Sequence, residues 1–169
     1  MFKKSVTATL AILISFKSFS YDGKINFEGN ISKYTCSISS ESKNLTVQLP
    51  TISVKSFNEG NNVSGLTDFS INIENCDADT VYFYVDRQGT NVHPNGITII
   101  PDEESTNVGI VLFEPKYNAF LPLNLDIPIY YTEVHDGKAS LDFTAAYFKT
   151  GVVNPGKIKA LMSYRIEYG

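Results

Sequence analysis

Tryptophan is absent from the 169-residue sequence, and histidine, cysteine and methionine occur only twice each. His93 and His135 are too few for a copper or zinc site on a β framework, which needs more imidazoles than two. Neither histidine sits in an HExxH stretch, and the sequence holds no G-x-S-x-G elbow and no phosphate-cradling glycine loop. An enzyme is therefore not expected, nor a metal or any other cofactor. The acidic run Asp102-Glu103-Glu104 is the one cluster with cation-binding character, and its ordinary meaning is a solvated loop. Lysine and arginine form no cluster either, which argues against nucleic acid or an anionic membrane surface as a partner.

Long apolar runs are equally scarce. The run over residues 6–16 is too short to span a bilayer. Lys3 and Lys4 precede it, and Ser18 and Ser20 place small side chains before a cut at Tyr21. This order of basic, apolar and small residues predicts a secretory signal over residues 1–20, although Lys17 and Phe19 depart from the usual cleavage pattern. Removing Lys3, Lys4 and Lys17 takes the basic residues from 14 to 11 against 18 acidic ones, a net charge of −7. Cys36 and Cys76 both fall in the exported part, where an isolated pair reads as a disulfide. Two free thiols or half a metal site are the alternatives, and two ligands without nearby histidines make a poor zinc site.

What is present is strand and turn. Ile25, Phe27 and Ile31 alternate with polar residues, and Gly29 takes the apolar-face position between Phe27 and Ile31. A short alternating run over residues 45–49 stops at Pro50. Phe69, Ile71 and Ile73 lead into Asn75-Cys76, where the period breaks. Further strands are predicted over residues 81–86, 97–100, 108–113 and 139–148. Residues 121–131 are strand-like but interrupted by Pro122 and Pro128. His135-Asp136-Gly137 reads as a hairpin turn. No helical period appears, so the chain is expected to be all-β, an antiparallel sandwich in one domain.

The closing stretch is the most regular. Ile158, Ala160, Met162, Tyr164, Ile166 and Tyr168 share one face, opposite Lys157, Lys159, Ser163, Arg165 and Glu167. Leu161 is the apolar exception on the polar face. A strand with one buried face is predicted to run from Gly156 to Tyr168. A strand precedes it in the sequence, and on this stretch alone it reads equally as a central strand flanked by earlier parts of the chain or as a strand with one edge unpartnered in its own chain.

Several fragments occur in a telling order: Gly23-Lys-Ile-Asn-Phe-Glu-Gly-Asn-Ile31, Cys36-Ser-Ile38, Phe69-Ser-Ile-Asn-Ile-Glu-Asn-Cys76, Asn107-Val-Gly-Ile-Val-Leu112, Leu141-Asp-Phe-Thr-Ala-Ala-Tyr147 and Gly151-Val-Val-Asn-Pro-Gly156. Together with the terminal glycine and tyrosine spacing, they make the chain resemble a subunit of chaperone–usher fimbriae, in the type 1 pilin family. Gly169 follows Tyr168 where that family's pattern has a longer polar side chain.

The resemblance implies an incomplete immunoglobulin-like sandwich, the pilin fold, that lacks its final strand and carries an N-terminal donor strand. It implies residues 21–33 as donor extension and residues 34–169 as pilin domain. Ile25, Phe27 and Ile31 would point into a neighbour's groove, with Gly29 where no side chain fits. Gly156, Ile158, Ala160, Met162, Tyr164, Ile166 and Tyr168 would form the acceptor groove and the strand that a chaperone captures. The implied partners are a periplasmic chaperone, an outer-membrane usher, neighbouring subunits and, through the fibre, a host receptor. The implied route is export through the periplasm to a cell-surface fimbrium that supports adhesion.

The competing reading is a self-complete secreted sandwich that binds a host glycan or protein receptor. Tyr82, Tyr84, Tyr117, Tyr130 and Tyr131 are numerous enough for a sugar-stacking surface, but alternating tyrosines on a sandwich are usually cross-strand pairs.

Overall fold

β3 (Thr80–Asp86) sets the pattern on which the molecule is built. Val81, Phe83 and Val85 are buried, and the residues between them are not, as a strand with one covered face requires. The computed structural model describes residues 31, 33–57, 60, 62–102, 106–116 and 118–169. The expected signal, and residues 21–30 of the expected donor, lie outside them. The chain divides into two units, Met1–Ile31 and Ser32–Gly169, and every strand among the described residues belongs to the second.

Two antiparallel sheets face each other. In the larger, β1 (Ser37–Ile38), β2 (Val63–Glu74), β8 (Ala139–Lys149), β5 (Val108–Glu114) and β4 (Thr98–Ile99) lie side by side in that order, with β6 (Ala119–Phe120) paired to β5. The smaller holds β7 (Tyr130–Glu133), β3 and β9 (Ser163–Tyr168). Phe83 of the small sheet and Phe143 of the large one meet at the centre with ring centroids 4.9 Å apart, and both are wholly buried. Ile71 and Ile73 of β2, Leu141 and Ala145 of β8, and Leu112 of β5 complete the core around them. Burying each such leucine or isoleucine side chain stabilises the fold by about 1.5–3 kcal/mol. β5 is apolar on both faces because Val111 and Phe113 pack outward with Ala146 in a smaller cluster on the far side of the sheet.

The cysteines form a disulfide, Cys36–Cys76, which ties the segment before β1 to the end of β2. Closing a loop of sequence separation 40 constrains the unfolded chain by about 4 kcal/mol in the entropic account.

The expected strands over β3, β5 and β8 and the expected turn at residues 135–137 are present, and three details differ. β2 begins at Val63, before the expected Phe69, because a bulge between Ser64 and Thr67 interrupts the alternation. Gly65 sits in that bulge with φ +70°, a conformation glycine adopts without strain. A single helical turn, α1 (Ser40–Lys43), occupies a place where no helix was expected. At the expected hairpin turn Asp136 and Gly137 both have positive φ, as a tight two-residue turn demands, and His135 and Lys138 bond to each other across it. The turn carries the chain from β7 in one sheet to β8 in the other. Finally, the closing strand joins a ladder only from Ser163 to Tyr168, not from Gly156.

Candidate functional site

Among the described residues the small sheet has three strands against six in the large one, and part of the inner face of the large sheet has no described strand opposite it. Among the described residues β9 pairs only with β3, and its outer edge is open. Beyond that edge runs a groove of about 890 Å³. Its floor is Phe69 and Ile71 of β2, Ala145 and Tyr147 of β8, Ile110 and Leu112 of β5, and Ile99 of β4. Phe69 and Tyr147 are only half-buried.

Two extended segments form the rims. One is residues 44–49, where Val47 and Leu49 turn toward the core and Thr46 and Gln48 are exposed. The other is residues 158–164, where Ile158, Ala160, Met162 and Tyr164 pack inward and Lys159 and Leu161 are exposed. Residues 45–49 make no backbone hydrogen bond to any described residue. Over residues 157–162 the bond made among the described residues runs from the Asp102 N–H to the Lys159 carbonyl, at 2.9 Å. Residues 45–49 and 157–162 thus have the alternation of strands but, among the described residues, no ladder partner. Extended backbone with unpaired N–H and C=O groups is a template for another strand.

One end of the groove is tied. The Tyr164 hydroxyl donates to the Ser42 carbonyl at 2.9 Å, joining β9 to the helical turn from which the opposite rim starts. Tyr164 stacks on Phe83 at 5.5 Å, and burial raises its pKa above the ordinary 10.0, with Tyr168 adding to the shift. Burial also raises the Tyr147 pKa on the floor. The turn is itself held by β2: the Ser42 hydroxyl accepts from the Asn72 N–H and from the Ser39 hydroxyl, each at 3.0 Å. Ser42 carries no sequence signal for this role, because a buried serine and a surface serine look alike in a loop.

The groove brings together Ile158, Ala160, Met162 and Tyr164. Ile166 and Tyr168 continue the same face, but they lie in the β3 ladder opposite Phe83 and Val81 and pack on the closed core. Gly156 is exposed and does not line the groove. It is a glycine because a Cβ there would come within 2.7 Å of the Thr106 Cγ2. Ile25, Phe27 and Gly29 lie outside the described residues, and Ile31 is exposed at their start.

Tyr82, Tyr84, Tyr130 and Tyr131 are accounted for by ordinary contacts. Tyr82 and Tyr131 are a directly opposed cross-strand pair with centroids 6.3 Å apart. The Arg165 guanidinium lies over Tyr84 at 4.5 Å, and Tyr130 sets its edge against Phe143. Tyr117 lies outside the described residues. The His93 Nδ1 accepts from the Asn95 N–H in a turn, and His135 lies 3.8 Å from Glu133 on the surface. Among the described residues no group of histidine, cysteine or acidic side chains is arranged to hold a metal.

The family model for Fimbrial protein matches residues 25–169. The F17 fimbrial protein of Escherichia coli is 30% identical over 173 residues, covering 96% of either chain. The Major fimbrial subunit SMF-1 of Stenotrophomonas maltophilia (strain K279a) is also 30% identical, over 158 residues, with 87% of this chain and 92% of that one covered. Among solved structures, the P pilus rod subunit PapA superposes with a TM-score of 0.64 at 23% identity, over 79% of this chain and 99% of that one. The subunit in a chaperone–usher pilus structure gives 0.62 at 22% identity, over 92% of this chain and 100% of that one. At these identities the two structures speak for the fold.

Proposed function

Because the chain belongs to the Fimbrial protein family of chaperone–usher pilus subunits, structural rather than enzymatic proteins that associate with neighbouring subunits in cell-surface fibres, we propose that it polymerises by donor-strand exchange. Residues 21–33 leave their own domain and enter the groove of a neighbouring copy. Ile25, Phe27 and Ile31 fill its apolar floor, and Gly29 passes where a side chain does not fit. Donor-strand complementation of pilins is an established form of β-augmentation, in which main-chain bonds supply affinity and alternate side chains supply specificity.

The observation that carries this reading is the groove flanked by residues 45–49 and 157–162, which have no ladder partner among the described residues. Residues 25–31 match residues 158–164 in length, so the donor spans the lined part of the groove. An open apolar groove of this kind is an aggregation hazard. A periplasmic chaperone covers it after export, and the outer-membrane usher is where the donor replaces the chaperone. The finished fibre supports bacterial adhesion.

The experiment compares two changes in a chain co-expressed with periplasmic chaperone. Gly29→Leu leaves capture by chaperone intact and blocks fibre growth, since overpacking a filled apolar site costs typically about 1–3 kcal/mol. Met162→Asp puts an unpaired charge in the groove, so capture fails and the subunit is degraded. Loss of chaperone binding in Gly29→Leu, or normal fibres from Met162→Asp, contradicts the proposal.

A further inference from the structure

The charge around the groove runs against the charge of the chain. Beyond the expected signal the sequence is acidic, yet the residues lining the groove include Lys43 and Lys159 and no aspartate or glutamate. Lys157 lies exposed on the same rim as Lys159. None of the three makes a salt bridge among the described residues, whereas Arg165 further along β9 is met by Glu167 at 3.3 Å and Asp126 at 4.0 Å. Asp102 bonds to the Lys159 carbonyl through its backbone N–H and lines a neighbouring pocket together with Arg87 and Leu161. The groove therefore has a basic rim above an apolar floor.

We infer that this rim recognises a carboxylate on the outer face of the incoming strand, and that in a second copy of this chain the carboxylate is Glu28. The inference rests on the proposed donor-strand exchange and adds to it the electrostatic selection of the strand. With Ile25, Phe27, Gly29 and Ile31 turned inward, Lys24, Asn26, Glu28 and Asn30 face outward. Centring residues 25–31 on residues 158–164 sets Glu28 opposite Leu161, whether the strands run parallel or antiparallel. Leu161 is outward-facing and 69% exposed, so the two side chains share a face. Lys159 is the outward residue two places along the rim, at the diagonal distance of about 7–8 Å that long side chains bridge. The acid stem then covers Leu161 while its carboxylate meets the Lys159 ammonium. Lys24 falls at the end of the strand, beside Lys157 in one direction and beside the Arg165–Glu167 pair in the other.

The test uses the full mature chain and a labelled synthetic peptide of residues 21–33, with association followed by fluorescence. Lys159→Glu in the chain slows capture of the wild-type peptide about threefold, the scale of an exposed pair, and Glu28→Lys in the peptide slows capture by the wild-type chain about as much. Combining the two restores the rate, and at about 1 M salt, where the screening length falls to about 3 Å, the differences vanish. Failure of the combined swap to restore capture, or differences that persist in high salt, overturns the inference. A Phe27→Asp peptide separates it from its premise. If that peptide binds as the wild type does, donor-strand insertion itself is wrong. If it fails to bind while the charge changes have no effect, insertion stands and the role of Glu28 and Lys159 falls.

Discussion

Replacing Tyr164 with phenylalanine removes one hydroxyl and leaves the ring on Phe83. The lost bond is the one to the Ser42 carbonyl, at 2.9 Å, and such a bond contributes about 1 kcal/mol net. In a domain of this size that lowers the melting temperature by about 2–4 °C. The deficit should also depend on pH. Burial raises the Tyr164 pKa above 10.0, so the folded state favours the neutral phenol. That contribution is complete below pH 10 and is lost as pH rises through the folded-state pKa. Tyr147 and Tyr168, also raised by burial, keep some alkaline sensitivity in the variant. Tyr164→Phe is therefore less stable than the wild type at neutral pH and loses less on going above pH 10. Guanidinium unfolding of the mature chain saturated with the residue 21–33 peptide, at neutral and alkaline pH, measures both. A gap that is absent at neutral pH, or constant across the range, is incompatible with a buried, hydrogen-bonded Tyr164 phenol.

Two further outcomes are expected from the fold. Cys36→Ser or Cys76→Ser releases the constraint of about 4 kcal/mol and lowers the yield of folded subunit in the periplasm, read by protease resistance; unchanged yield would show that the disulfide is dispensable. Gly65→Ala strains a position with φ +70° and brings a Cβ within 2.8 Å of the Tyr147 ring, so it destabilises by more than the roughly 1 kcal/mol that glycine flexibility alone is worth, measurable by the same unfolding assay.

The elements legible in the sequence are those whose pairing and burial agree. In β3 and β8 every second residue enters the core, and the strand boundaries fall close to where the alternation places them. Ile158 to Tyr168 shows the limit of that signal. Alternation reports which face is apolar but not which edge is bonded, so residues 157–162 read as ladder strand although they have no ladder partner among the described residues. Nor does it separate groove from core. Ile166 and Met162 lie on one face, and what divides them is the register of β9 on β3, a non-local fact. The bulge at Gly65 hid the first part of β2 by breaking the period. Ser42 was invisible because its burial depends on Asn72 and Tyr164, both remote in sequence.

Under donor-strand exchange, residues 21–33 of one copy occupy the groove of another. The direct measurement places a photoreactive phenylalanine analogue at Phe27 and grows fibres from isotopically light and heavy chains mixed together. Irradiation and mass spectrometry then identify the attached residue and its chain of origin. Exchange between copies predicts adducts to groove residues such as Ala160, Met162 or Phe69, with light and heavy chains joined to one another. Adducts confined to single chains, or attached to surfaces outside the groove, would contradict it.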